Sequence, residues 1–428
     1  MVFEVGIGTS QNWNPEEAAK EVITQALSKL SKPPTFVLLF STIHHEKNRG
    51  FQKILDTIYQ NIPKETPLVG GTVTGFLTAN AACTQGIAAA AIYSDELDFE
   101  IGFGINTKRN PKNAARNCIK KIKNFKFKFQ NKLLLLITSG PSYPIMPGIG
   151  KIKVVKNPFL RLLLPSIIKL STLVIQKGLG REQEIAEEIR KQLPDFSVFG
   201  GSTNDDNNYT RNYQFFFDKV LQNTVIALGL STNFNVFMDG GHGLQSTGIN
   251  GTIQKKALWD YLIKDFDGVD AQKKYLEANG WDEKVLDEFI HRKTIYYPIG
   301  IYFPDGTLHP YPVPIFTGKE IILGHTARGN KFEFLTTSGE KLLNSLDPLI
   351  LNIQEPAFLF GVSCAVRLET LGRNIFKTRD KLLQKTNDFL LIYTVGETRG
   401  KPNAYIHQLQ ETINLLSISR KNPAITDK

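Results

Sequence analysis

Apolar residues in this chain fall into short runs of strand length, and the runs recur in a fixed order. Residues 36–40 (Phe-Val-Leu-Leu-Phe) and 133–137 (Leu-Leu-Leu-Leu-Ile) are continuous apolar runs, each followed by a segment of helical spacing and then a proline, Pro63 or Pro194. Uninterrupted runs of this kind are expected of strands buried on both faces. Each leads to a second run that closes on two glycines and a hydroxyl: Leu68-Val69-Gly70-Gly71-Thr72 in one case, Val198-Phe199-Gly200-Gly201-Ser202 in the other. Paired glycines at the end of an apolar run predict a strand that stops at a tight backbone turn. Two further apolar runs follow each pair, at 86–93 and 97–104 after the first and at 213–218 and 224–230 after the second. The pattern predicts a duplicated unit, about residues 1–110 and 131–240.

Local signals fill in the rest. Residues 2–8 alternate and read as a strand, and Asn14-Pro15-Glu16-Glu17 predicts a helix start, with a capping side chain, proline in the first turn and acids at the positive end of the dipole. Residues 141–180 interrupt the second unit with Pro144, Pro147, Gly148 and Gly150, then with apolar residues mixed with bases. Beyond residue 250 come short strands, helices at 269–278 and 282–289, and a last strand-helix-strand module from Ala357 to Val395. The expected fold is mixed α/β: duplicated strand-helix-strand units forming mixed sheets with helices packed outside, plus a C-terminal α/β domain. Its expected domains are 1–250, with the insertion at 141–180, and 251–420, with a flexible tail at 421–428.

Composition narrows the function classes. With 41% hydrophobic and 21% charged residues over 428 positions, the chain reads as globular material of more than one domain. Cys83, Cys118 and Cys364 are odd in number and scattered, which argues against a disulfide framework and for a reducing compartment. The start lacks a basic, apolar leader, and the most apolar stretch, 152–175, is broken by bases and by Pro158 and Pro165, so the expected location is cytoplasmic. The net charge of +10 is concentrated at 116–132 and 151–181. The first of these reads as a solvated helix face and loop; its bases are not interleaved with aromatics in a nucleic-acid module, so no nucleic-acid partner is expected.

Common catalytic signatures are missing. There is no P-loop lysine, G-x-S-x-G elbow or H-E-x-x-H pair, and Asp239-Gly240-Gly241-His242-Gly243 lacks the strand and helix context of a dinucleotide site. His44-His45 would point to opposite faces of extended chain and read as polar loop residues, and Asp205-Asp206 read as a polar turn, with a Mg²⁺ or Ca²⁺ site or hydrogen bonds to a ligand amine as the alternative. Neither a metal nor a cofactor is expected.

Taken together, the motifs resemble the FIST sensory family, with its N-terminal and C-terminal domains. The resemblance rests on residues 5–10, on 67–74 with Gly70-Gly71, on 86–91, and on Phe199-Gly200-Gly201-Ser202 followed by Asp205-Asp206. In the C-terminal half it rests on Pro298-Ile299-Gly300, on 357–367 with its Cys-x-x-Arg, and on Tyr393-Thr394-Val395-Gly396-Glu397. Several positions depart from the family pattern: Thr74-Gly75-Phe76, His407-Gln408, the prolines of 307–314, and the 141–180 insertion. The resemblance implies intracellular small-molecule sensing, with amino acids or related zwitterions as ligands and a separate signalling output protein as partner.

A zwitterion needs an anion holder and an amine holder. Backbone N–H groups at Gly70, Gly71, Thr72, Gly200, Gly201 and Ser202, with Arg367 as a fork, are the expected holders of a carboxylate. Glu397 or Asp206, beside Cys364 and Gly396, would hold the amine. For Arg367 the alternative is a structural ion pair, with Glu397 as one partner. Two other readings of the chain stay open: an enzyme using Cys364 with His407 as base and Glu397 as orienter on a small acyl or amide substrate, and a scaffold that touches a membrane surface through residues 151–177; the insertion itself reads rather as a helical hairpin that caps the domain or pairs with another copy as a homo-oligomer.

Overall fold

The computed structural model describes residues 2–143, 154–155, 157–255, 260–287 and 289–419. The expected tail at 421–428 and the 144–153 part of the insertion lie outside the described residues. Among the described residues, three mixed sheets of six strands and a fourth of eight carry the fold.

Each six-stranded sheet is built on the same plan. In the first, Phe3–Ser10 pairs antiparallel with Ile87–Ser94, which pairs antiparallel with Phe36–Ser41, which in turn runs parallel to Leu68–Thr72. In the second, the same places are taken by Leu97–Ile105, Thr224–Thr232, Asn131–Ser139 and Ser197–Thr203. The third uses Asn235–Gly241, Ile413–Ser419, Pro356–Cys364 and Phe389–Thr394. The expected duplication is present, and a third copy joins it. The boundary expected at residue 250 falls inside strand Gln245–Lys255, and Asn235–Gly241 just before it belongs to the third sheet.

A short hairpin completes each sheet, and it comes from a different unit. The first unit's hairpin, Gly75–Thr78 with Ala82–Cys83, extends the third sheet by pairing with Phe389–Thr394. The second unit's hairpin, Gln214–Phe216 with Lys219–Leu221, extends the first sheet at Leu68–Thr72. The third unit's hairpin, Glu397–Gly400 with His407–Leu409, extends the second sheet at Ser197–Thr203. The exchange is closed, one to three, three to two and two to one.

The apolar runs follow from this arrangement. Alternate side chains point to opposite faces of a strand, so a run such as Phe36–Ser41 serves two cores at once. Phe36, Leu38 and Phe40 point inward, as do Leu133, Leu135 and Ile137 from the second sheet and Phe358, Phe360 and Val362 from the third, and together they form one central core. Phe360 stacks near Phe40 at 5.9 Å and meets Phe199 edge-on at 5.7 Å, joining all three sheets. Val37 and Leu39 point outward to Pro15–Leu27 and Gly50–Ile58, and Leu134 and Leu136 to Pro111–Asn124 and Glu182–Gln192. The start of the first of these helices is as its sequence predicts, with the Asn14 side chain accepting from the N–H groups of Glu16 and Glu17.

The glycine pairs differ from expectation. They are not turns: Gly70 and Gly71 lie in strand Leu68–Thr72, and Gly200 and Gly201 in Ser197–Thr203. A Cβ on Gly70 would stand 1.6 Å from the Leu39 carbonyl oxygen, and one on Gly200 1.8 Å from that of Leu136. Close approach of neighbouring backbones is what demands glycine here.

The described residues of 245–336 leave the third unit between its first strand and its helices and form a cap. Their sheet runs Leu308–Tyr311, Ile299–Tyr302, Lys331–Thr336, Gln245–Lys255, Leu262–Phe266, Ile321–Ile322, Ile315–Phe316. The cap has its own core around Phe266, Tyr275, Phe316, Phe332 and Phe334, and helix Pro158–Val174 of the insertion packs Leu164 and Ile168 into it.

Candidate functional site

The C-terminal ends of the parallel strands converge at one end of the central core. Backbone bonds lace them together: Thr72 donates to the Tyr213 carbonyl, Asn204 to that of Thr72, Ser202 to that of Gly396, Val395 to that of Ser202, and Thr74 to that of Tyr393. By register, Thr72, Ser202 and Thr394 are equivalent positions of the three units. All three are buried hydroxyls. The N–H groups expected to hold a carboxylate at Thr72 and Ser202 are therefore already bonded to the protein.

At the third unit this end becomes a buried polar centre. Glu397, the first residue of its hairpin, is fully buried; its carboxylate accepts from the Thr394 hydroxyl at 3.3 Å and from the Thr412 hydroxyl and N–H at 3.0 and 3.3 Å. Burial pushes this carboxyl up to about 8, against the pull of those bonds and of Arg367. The second unit repeats the device without a charge. There the Gln214 side chain accepts from the Thr224 N–H at 3.1 Å.

Glu411 is the second carboxyl of the centre. It is 1% exposed and sits at a left-handed backbone position, φ 55°; burial first, and then Glu397, hold it well above the ordinary carboxylate range. Its Oε1 has no hydrogen-bond partner, nor do Gln410 Nε2 and both amide atoms of Asn414, all buried within four residues of chain. Unpaired buried polar atoms are uncommon in folded proteins and costly. None of these three residues belongs to a motif named above; the one signal is a short polar run, Gln410 to Thr412, set directly before an apolar strand.

Arg367 is buried beside them on helix Ala365–Leu371. Its guanidinium donates to the carbonyls of His242 and Leu342 and to the Ser345 hydroxyl, so it ties the cap's entry to the third unit. Among the described residues no carboxylate lies within ion-pair distance of it, and the expected ion pair with Glu397 is not formed; Glu397 and Glu411 act on it only through the field. Cys364 closes strand Pro356–Cys364 and donates its N–H to the Thr412 carbonyl. Burial, with Glu397 and Glu411 adding to it, pushes its thiol well above its ordinary value. Any lowering of the thiol by the helix that starts at Ala365 is thus outweighed. His407 does not approach as a base either: it bonds His309 at 2.8 Å and pairs with Asp305 at 3.2 Å.

The remaining expected residues are dispersed. Gly396 abuts the centre, its carbonyl held by Ser202 and its Cα facing the Gln408 amide. Asp206 is exposed, at φ 60°, in the loop that precedes the second hairpin. Its neighbour Asp205 is the organiser of that loop: its buried carboxylate accepts from the N–H groups of Tyr209, Thr210 and Arg211 and from the Thr210 hydroxyl. Asp205→Ala should strip four bonds from one carboxylate and lower unfolding free energy by about 2–4 kcal/mol, measured by urea titration. An unchanged midpoint would deny the loop that anchor. His44 and His45 likewise hold loops, through the Thr42 hydroxyl and the Asn12 carbonyl. Among the described residues no cluster of histidine, cysteine and acidic side chains has metal-binding form, and no helix is long and apolar enough to cross a membrane.

The cap lies over this centre. Ile295 and Tyr296 pack on Cys364 and Val366, and His325 bonds Glu182 of the second unit at 3.2 Å.

Residues 35–268 match a family model described as the FIST N domain. The match takes in most of the first unit and the whole of the second, and ends before Arg367 and Glu397. No curated protein matches the sequence. Among solved structures, a cyanuric acid hydrolase from A. caulinodans aligns over 54% of this chain and 71% of its own at 7% identity and a TM-score of 0.24. PurLQS from Thermotoga maritima aligns over 98% and 72% at 11% identity and a TM-score of 0.19. Likenesses this distant assign neither fold nor activity.

Proposed function

Because the chain belongs to the FIST family of sensory, ligand-binding signalling domains, we propose that it senses an amino acid or similar zwitterion inside the cell, held at the buried centre beneath the cap. The observation that carries this reading is the set of unpartnered buried atoms: Glu411 Oε1, Gln410 Nε2 and the Asn414 amide. They supply acceptors for an ammonium group and donors for a carboxylate, next to two carboxyls and one guanidinium. A cationic amine favours the ionised form of Glu411 and Glu397, so binding releases protons and tightens as pH rises toward 8. Thr394 and Cys364 line the same end of the core. The glycine pairs contribute by letting the strands close up, and Asp206 lies outside the centre. The output is carried by a separate signalling protein.

Stability in the presence of ligand tests the reading. Amino acids, the corresponding amines and the corresponding acids are compared by thermal shift on the wild type and on Glu411→Gln. A zwitterion at a hundred times its Kd should stabilise the wild type by about 2.7 kcal/mol, and amines or acids alone by much less. The variant should lose the response. A screen in which no zwitterion raises the melting point, or in which Glu411→Gln responds as the wild type does, rules the site out.

A further inference from the structure

Helix Pro158–Val174 turns an apolar face away from the protein. Its inner face, Leu164 and Ile168, is in the cap core, yet Phe159, Leu162, Leu163, Leu170, Leu173 and Val174 are exposed, four of them above 60%: 68% at Phe159 and Leu162, 63% at Leu170 and 61% at Val174. Their spacing along the chain (i, i+3, i+4, i+11, i+14, i+15) sets them on one stripe of the helix, interrupted only by Ser166. Six large apolar side chains on one solvent face form a patch that a protein does not leave in water without use.

The charge around the stripe says what covers it. From residue 101 to residue 181 the sequence has 17 lysines and arginines and not one aspartate or glutamate, so this segment carries +17 and the rest of the chain −7. Lys169 lies on the helix beside the stripe. Arg109, at the head of the basic helix Pro111–Asn124, donates to the carbonyls of Leu173 and Val174, bringing the two helices together at the end of the stripe.

We propose that this face docks the protein on an anionic lipid surface. The helix lies in the interface with its apolar stripe among the acyl chains and its basic flanks among the headgroups. At 17 residues, with Pro165 inside it, it is too short to span. A second copy is the poorer occupant. Two-fold pairing would set Lys169 and the acid-free segment that carries the helix against their own copies, bases facing bases.

The test is co-sedimentation of the full chain with vesicles of mixed phosphatidylserine and phosphatidylcholine, and with phosphatidylcholine alone. The expected result is binding to the anionic vesicles only, reversed by salt. The double variant Leu162→Ser, Leu170→Ser should bind at least about tenfold more weakly, with an unchanged melting temperature because both side chains are exposed. Lys169→Glu, which leaves the stripe intact, should cost about fivefold or more. Absence of binding at low salt overturns the proposal. So does equal binding of the double variant, and so does a wild-type dimer in light scattering that the double variant abolishes without any vesicle binding, since the face would then join two copies.

Discussion

Replacing Glu397 with glutamine should make the protein insensitive to much of the stability that the wild type loses between about pH 4.5 and 8. The buried carboxyl keeps its proton up to about 8 when folded, against a value of 4.5 when free. Across that window the folded state holds a proton that the unfolded state has lost, so unfolding free energy falls as pH rises. The contribution is fully present below the unfolded value and gone above the folded one. The gap corresponds to several kcal/mol, at most about 5, for a carboxyl with no exposure to solvent. Glutamine keeps the shape, accepts from Thr412, donates to Thr394 and carries no charge to desolvate. Urea unfolding at a series of pH values should therefore show the two proteins nearly equal near pH 4.5 and the variant ahead by several kcal/mol above pH 8. Parallel curves for both proteins would mean that Glu397 is ionised in the folded chain throughout, and would remove the neutral-acid picture of the centre.

The second large effect belongs to the glycines. Gly70→Ala and Gly200→Ala each place a methyl within 2 Å of a backbone carbonyl in the adjoining parallel strand. Neither Leu39 nor Leu136 has a flexible tip to move aside, so strands at the middle of two sheets must separate. Each substitution should cost at least about 3 kcal/mol in chemical denaturation, and the double variant should fail to accumulate as folded protein. Gly324→Ala is the control: nothing lies within 4 Å of its would-be Cβ, and it should fall within about 0.5 kcal/mol of the wild type. Single variants as stable as the control would show that the strands are further apart than described.

These two sites mark what can be read from the sequence and what cannot. The repeat of Leu68 to Thr72 in Val198 to Ser202 is plain in the letters, and two of the three sheets follow from it. Their glycines suggested turns because glycine signals a turn and a tight strand approach equally well. The third copy hides for two physical reasons. Its equivalent strand, paired with Val362 and Ser363, reads Ile392-Tyr393-Thr394 in place of two glycines and a hydroxyl, so the letters do not repeat. Its first and second strands are also separated by the whole cap. Arg367 and Glu397 were legible through family resemblance, but Glu411, Gln410 and Asn414 were not, because a polar side chain before an apolar strand reads as an ordinary loop until the cap is seen to bury it. Only the placement of helix Pro158–Val174 against the cap core tells which half of its apolar surface is spare.

The cyclic exchange of hairpins has a mechanical consequence. Glu397 belongs to the third unit by covalent connection and to the second by pairing, opposite Gly201. A ligand that draws on its carboxyl loads two sheets at once, one through the chain leading back to Phe389–Thr394 and one through the rungs to Ser197–Thr203. The same holds around the ring, because every sheet is gripped by a neighbour's arm. A disturbance at the centre is therefore shared between units that are joined both by chain and by strand pairing.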